Sequence, residues 1–120
     1  MSSWSLVKKR GQDGIGYVEI YKSVVKGHKT LAIISYLPQF TNSSKERNVN
    51  IVLMFEGQDS DITKGLFYGM YDELGEIVKS KEDDYFKRNK EKLEVVITQT
   101  LVIDKMPSVN LLSHGDFSIE

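Results

Sequence analysis

Few residues in this chain could perform covalent chemistry. It has no cysteine and only two histidines, His28 and His114, so a thiol nucleophile is excluded. Any serine-based relay would have to draw its imidazole from a predicted hairpin turn or from the C-terminal tail. His114 stands two positions from Asp116, a spacing that could serve a metal but falls short of the ligand count such sites use. Glu82-Asp83-Asp84 is a carboxylate run of the type that meets hard cations, yet three consecutive acids on a charged linker normally face water. Gly11, Gly14 and Gly16 follow Lys8, Lys9 and Arg10, but no G-x-x-x-x-G-K-[ST] pattern is present and no helix is predicted to start there, which leaves a phosphate-binding P-loop unsupported. The expectation is a non-catalytic protein with no cofactor and no metal.

The more informative constellation is cationic and aromatic. Residues 1–50 carry eight Lys and Arg against three Asp and Glu, while residues 51–120 carry eight against fourteen. Such asymmetry hints at a polyanion-facing surface or at head-to-tail self-association, unless the two signs interleave on folding. Trp4, Lys8, Lys9, Arg10, Tyr17, Tyr21, Lys22, Lys26, Lys29 and Tyr36 all fall on the first three predicted strands and their turns. Bases stack on aromatic faces while cations follow phosphates, so a solvent-facing sheet carrying both suits a single strand of DNA or RNA. The competing structural explanation is ordinary cross-strand pairing of sheet tyrosines.

On the predicted helix, Gly65 and Gly69 stand four apart, each costing up to about 1 kcal/mol relative to Ala. That cost suggests a close backbone neighbour, and a second copy of the helix in a homodimer is the expected one. Asp72, Glu73 and Glu76 make the same helix acidic. This supports an alternative reading as a protein-interaction module, a viral or accessory factor that inhibits or scaffolds a partner through the acidic helix or the apolar tail.

The elements that position these residues follow from periodicity. Trp4 to Lys9 alternates as a short strand, with a turn over Arg10 to Gly14. From Ile15 to Val25, Tyr17, Glu19, Tyr21 and Ser23 share one face and Val18, Ile20, Lys22 and Val24 the other, with the Val/Ile face expected against the core. Lys26 to Lys29 is a tight connection in which Gly27 supplies a positive φ. Thr30 to Leu37 is apolar on both faces and is expected at the centre of the sheet, ending at Pro38. Residues 41–48 read as an exposed polar loop. Val49 to Phe55 is a fourth strand, after which Asp59, Ser60 or Asp61 could cap a helix. Ile62, Leu66, Met70, Leu74, Ile77 and Val78, joined by Phe67, make one apolar stripe. A second short helix is expected within Ser80 to Lys92. Leu93, Val95, Ile97, Leu101 and Ile103 then mark one face of a fifth strand.

The expected fold is therefore α+β, an antiparallel sheet of about four to five strands with one long amphipathic helix packed on it. Residues 1–106 form one domain, and 107–120 a tail too apolar to be a plain disordered terminus, hence docked.

Four strands followed by one long helix resembles the Whirly-type single-stranded DNA-binding domains, in which a curved antiparallel sheet binds the strand and helices build the oligomer. Lys26-Gly27-His28-Lys29-Thr30-Leu31 is similar to that family's Lys-Gly-Lys-rich segment with one inserted residue, and Pro38 and Phe40 follow at a comparable distance. The resemblance implies nucleic-acid contacts at Lys26 and Lys29.

No apolar run approaches the roughly 20 residues needed to cross a bilayer, and Met1-Ser2-Ser3-Trp4 lacks the pattern of a secretory signal. Together with the missing cysteines this points to the cytoplasm, the host's if the source is viral.

Overall fold

The computed structural model describes residues 4–12, 16–37, 46–81 and 92–107. Strands β1 (Ser5–Gln12), β2 (Gly16–Val25), β3 (His28–Leu37) and β4 (Glu46–Glu56) are followed by helix α1 (Lys64–Lys81) and strand β5 (Lys92–Ile103). All five strands form one sheet in the order β1-β2-β3-β4-β5.

The first four strands pair antiparallel. β4 and β5 pair in parallel, so the sheet is mixed rather than antiparallel throughout. The reason is the connection: α1 carries the chain back along the sheet before β5 begins, as parallel neighbours require. β4 also starts at Glu46, inside the stretch expected as a loop, because Glu46 and Arg47 pair with Lys92 and Leu93 of β5, and Asn48 with both Leu37 and Glu94.

The β2–β3 connection is the two-residue turn Lys26-Gly27, both at positive φ (52° and 82°), the backbone that matches strand twist in a tight hairpin. Gly11, expected in a turn, lies within β1 at φ 102°. Its Cβ position would fall 2.3 Å from the Gly16 carbonyl oxygen, so the two strands meet there only because no side chain intervenes.

The helix cap differs from the expected one. Asp59–Asp61 form a 3-10 turn in which the Asp61 carboxylate accepts the Gln58 amide at 2.7 Å. Thr63 Oγ1 then accepts the Leu66 amide at 3.2 Å, satisfying a donor that helix geometry leaves orphaned. α1 presents Met70, Leu74 and Val78 to the sheet, the stripe legible in the sequence. It runs to Lys81, and the second helix expected over Ser80 to Lys92 falls largely on residues outside the described ones.

The sheet is apolar on both faces. Beneath α1 lie Trp4, Tyr17, Tyr21, Ala32, Ile34, Tyr36, Val49, Ile51, Leu53 and Phe55. On the opposite face Ile20, Leu31, Ile33 and Met54 form a second buried cluster. β3, with Leu31 to Ile34 all buried, is the centre of the sheet and of both clusters. β5 does not keep one apolar face. A register shift after Val49 leaves Val96 without a paired residue, so Leu93 joins the helix-side cluster while Leu101 and Ile103 join the other. Among the described residues no helix is long and apolar enough to cross a membrane.

Candidate functional site

Side chains alternate across a strand, so the pairing register sorts the sequence-derived site residues onto two faces. Tyr17, Glu19 and Tyr21 point toward α1, and their β3 partner positions bring Tyr36 and Ile34 to the same side. Tyr17 and Tyr36 stack at 4.5 Å between ring centroids, tilted by 22°. Trp4, Tyr17, Tyr21 and Tyr36 are all buried, Tyr36 completely. The expected water-facing aromatic platform is thus corrected: the four rings form core beneath the helix. Their size is the physical reason, since large rings fill the layer between a sheet and a helix where the smaller Val18 and Ile20 would leave space.

Glu19 lies among these rings, 1% exposed. Its carboxylate accepts the Tyr21 hydroxyl at 3.1 Å and the Lys81 ammonium at 3.0 Å. Burial, and secondarily the negative charge of Glu19, push the Tyr21 and Tyr36 hydroxyls well above the ordinary phenol range.

The cations separate differently. β1 has a bulge at Val7, between the pairs Leu6–Tyr21 and Lys8–Ile20. An extra residue there reverses the alternation, so Lys8 and Arg10 sit opposite Ile20 and Val18 on the face away from α1. Lys22, opposite Leu31, and Lys29, opposite Val24, share that face. Lys22 and Lys29 are exposed and Lys8 and Arg10 half-buried. Arg10 Nη1 is enclosed and makes no hydrogen bond among the described residues. Lys9 turns to the helix side, its ammonium 4.2 Å from the Tyr17 ring centroid, and Lys26 occupies the exposed hairpin turn. The structure therefore unites Lys8, Arg10, Lys22 and Lys29 and separates them from the rings.

Among β1, β2 and β3 the sole carboxylate is Glu19, on the other face. On the neighbouring β4, Glu56 lies at the strand end, and its Oε2 accepts the Met106 amide at 2.7 Å.

Gly65 and Gly69 line a groove between α1 and the end of the β2–β3 hairpin, of about 530 Å³. Val25, Leu66 and Met70 line it with them, and Lys26, Asp61 and Glu73 supply charges. Among the described residues nothing beyond the helix's own neighbouring backbone lies within 4 Å of either glycine's Cβ position, so their smallness serves no contact with another described element. Three further features were not expected from the sequence: this groove's second wall on β2, the exposed Tyr68 beside Phe67, and the Glu19–Lys81 pair. Tyr68 falls off the apolar stripe, the one signal that could have marked it.

His28 anchors the hairpin. Its Nδ1 lies 3.0 Å from the Glu56 carbonyl oxygen and its ring 4.9 Å from that of Phe55. His114, Asp116 and Glu82-Asp83-Asp84 lie outside the described residues.

No family model matches the chain, and neither the curated proteins nor the solved structures provide a match.

Proposed function

We propose that this protein binds the sugar–phosphate backbone of nucleic acid, without catalysis, through Lys8, Arg10, Lys22 and Lys29. One observation carries the reading: four cations from three adjacent strands share a face on which those strands place no carboxylate. Phosphate neutralisation with counterion release is the largest contribution to sequence-independent binding.

With Trp4, Tyr17, Tyr21 and Tyr36 buried, these four rings do not stack on bases, and the reading rests on phosphates rather than on them. Single strands remain the proposed ligand class, but the preference over duplex is small for this reason. Electrophoretic retardation of labelled single-stranded and duplex oligonucleotides tests the reading. Both should be retarded at low salt, and charge reversal in K8E/R10E/K22E/K29E should abolish the shift. Absence of retardation at low salt defeats it.

A second reading is favoured by the open groove beside Gly65 and Gly69. An apolar concavity flanked by Val24, which is 65% exposed, suits a protein contact, in the first instance a second copy of the chain in a homodimer. Sedimentation of the wild type against Gly65→Leu, which fills the groove, distinguishes a self-associating protein from a monomer.

A further inference from the structure

The two edges of the sheet are built differently. β1 closes one edge with the bulge at Val7 and the successive cations Lys8, Lys9 and Arg10, devices that discourage a further strand from pairing there. β5 closes the other, and among the described residues no strand pairs with its outer side. From Val95 to Ile103 it carries neither a charged residue nor a proline. Glu94, Val95, Val96, Thr98 and Gln99 are all exposed. The register shift against β4 adds a valine rather than a cation to this surface, for Val96 is 47% exposed and Val95 41%. A long uncharged edge with open backbone groups is a template for another strand.

The same edge carries a recess. Phe67, Tyr68 and Lys64 of α1 face Thr100 and Val102 across a groove of about 370 Å³. Val95, Thr100 and Val102 pair with Val49, Leu53 and Phe55, which places all three on the helix side. Thr98 therefore stands between an apolar projection and an aromatic recess on one strand. A two-fold axis near Thr98 would set the valines of each copy against the recess of the other, the self-complementary layout an isologous interface needs. The strand ends agree in charge: reversal brings Lys92 and Glu94 of one copy to Asp104 and Lys105 of the other, both signs at each end. We infer that β5 pairs antiparallel with β5 of a second copy, joining the two sheets into one. This surface lies on the β5 flank of α1, apart from the groove beside Gly65 and Gly69, and does not depend on nucleic-acid binding.

Sedimentation of the full chain over a dilution series should show a reversible dimer. Val96→Lys, which brings like charges together across the axis from an exposed position, should weaken it at least about tenfold with circular dichroism unchanged. Gly65→Leu should leave it intact. Because the chain lacks cysteine, Thr98→Cys and Gln99→Cys, both at exposed positions, give a second measurement. Under mild oxidation at least one should form a disulfide between copies, whereas Lys79→Cys on the exposed side of α1 should not. A wild type that is monomeric throughout, a dimer indifferent to Val96→Lys, or cross-linking from neither strand position overturns the inference. A dimer dissolved by Gly65→Leu alone overturns it too and assigns self-association to the other groove.

Discussion

The Lys81 ammonium lies 3.0 Å from Glu19 Oε2, joining the last residue of α1 to the middle of β2. The carboxylate is buried while the lysine keeps 26% of its side chain in water. Sixty-two positions separate the two residues, so the pair fixes where the helix end lies across the sheet.

Removing the cation would leave a buried carboxylate with the Tyr21 hydroxyl as a remaining donor. Lys81→Met is expected to cost about 2 to 3 kcal/mol, somewhat less than breaking a fully buried pair because the lysine is partly hydrated. Lys79→Met, on the exposed side of the same turn, should stay within roughly 0.5 kcal/mol of wild type. Urea denaturation of both variants checks this. The double variant Glu19→Gln with Lys81→Met should recover part of the loss, since no unpaired charge then remains buried.

The tyrosines beside Glu19 give the fold an alkaline limit. Burial first, then the Glu19 charge, raises the Tyr21 and Tyr36 hydroxyls above the ordinary value of 10.0. The folded state therefore holds protons that the unfolded chain releases above pH about 10. The stabilisation is complete below that pH and falls as pH rises further toward the folded-state values. Absorbance at the phenolate band, recorded alongside circular dichroism through an alkaline titration, checks this. Tyr21 and Tyr36 should ionise together with loss of circular dichroism. Their ionisation without unfolding would contradict the buried placement.

Much of the fold is legible from periodicity. The alternation of β2, the apolar centre in β3 and the α1 stripe each follow from local spacing that the packed structure reuses. Which face of β2 receives the helix is not legible, because Val18 and Ile20 on one side and Tyr17 and Tyr21 on the other are both apolar enough to be buried. The deciding partners, Lys81 for Glu19 and Tyr36 for Tyr17, are remote in sequence. The bulge at Val7 carries no Gly or Pro signal, yet it alone places Lys8 and Arg10 on the face with Lys22. The switch of face along β5 depends likewise on a register shift against β4, a tertiary property.

The glycines fall into two classes with opposite expected responses. Gly65 and Gly69 have helical backbone and empty space at Cβ, so each Ala should stabilise the isolated chain by up to about 1 kcal/mol. Gly11 combines φ 102° with a Cβ position 2.3 Å from the Gly16 oxygen. Gly11→Ala should cost more than about 2 kcal/mol through strain and displacement of β2. Thermal melts at one dilute concentration compare the three, and a stabilised Gly11→Ala would refute the strand pairing at that end.

Salt dependence distinguishes the cationic face from the aromatic layer. Four phosphate contacts to a single strand give a slope of log K against log salt of about −3, or roughly fifty-fold weaker binding from 50 to 200 mM. Lys22→Gln and Lys29→Gln should each flatten that slope by about 0.7, with little effect on stability because both side chains are exposed. Tyr17→Leu should act in the reverse manner. It removes a ring stacked on Tyr36 under the helix, so unfolding should shift to lower urea while the salt slope of the folded protein is unchanged. Retardation titrations at four salt concentrations decide the matter: a slope that responds to Tyr17→Leu and ignores both lysines would mean that the nucleic acid contacts the other side of the sheet.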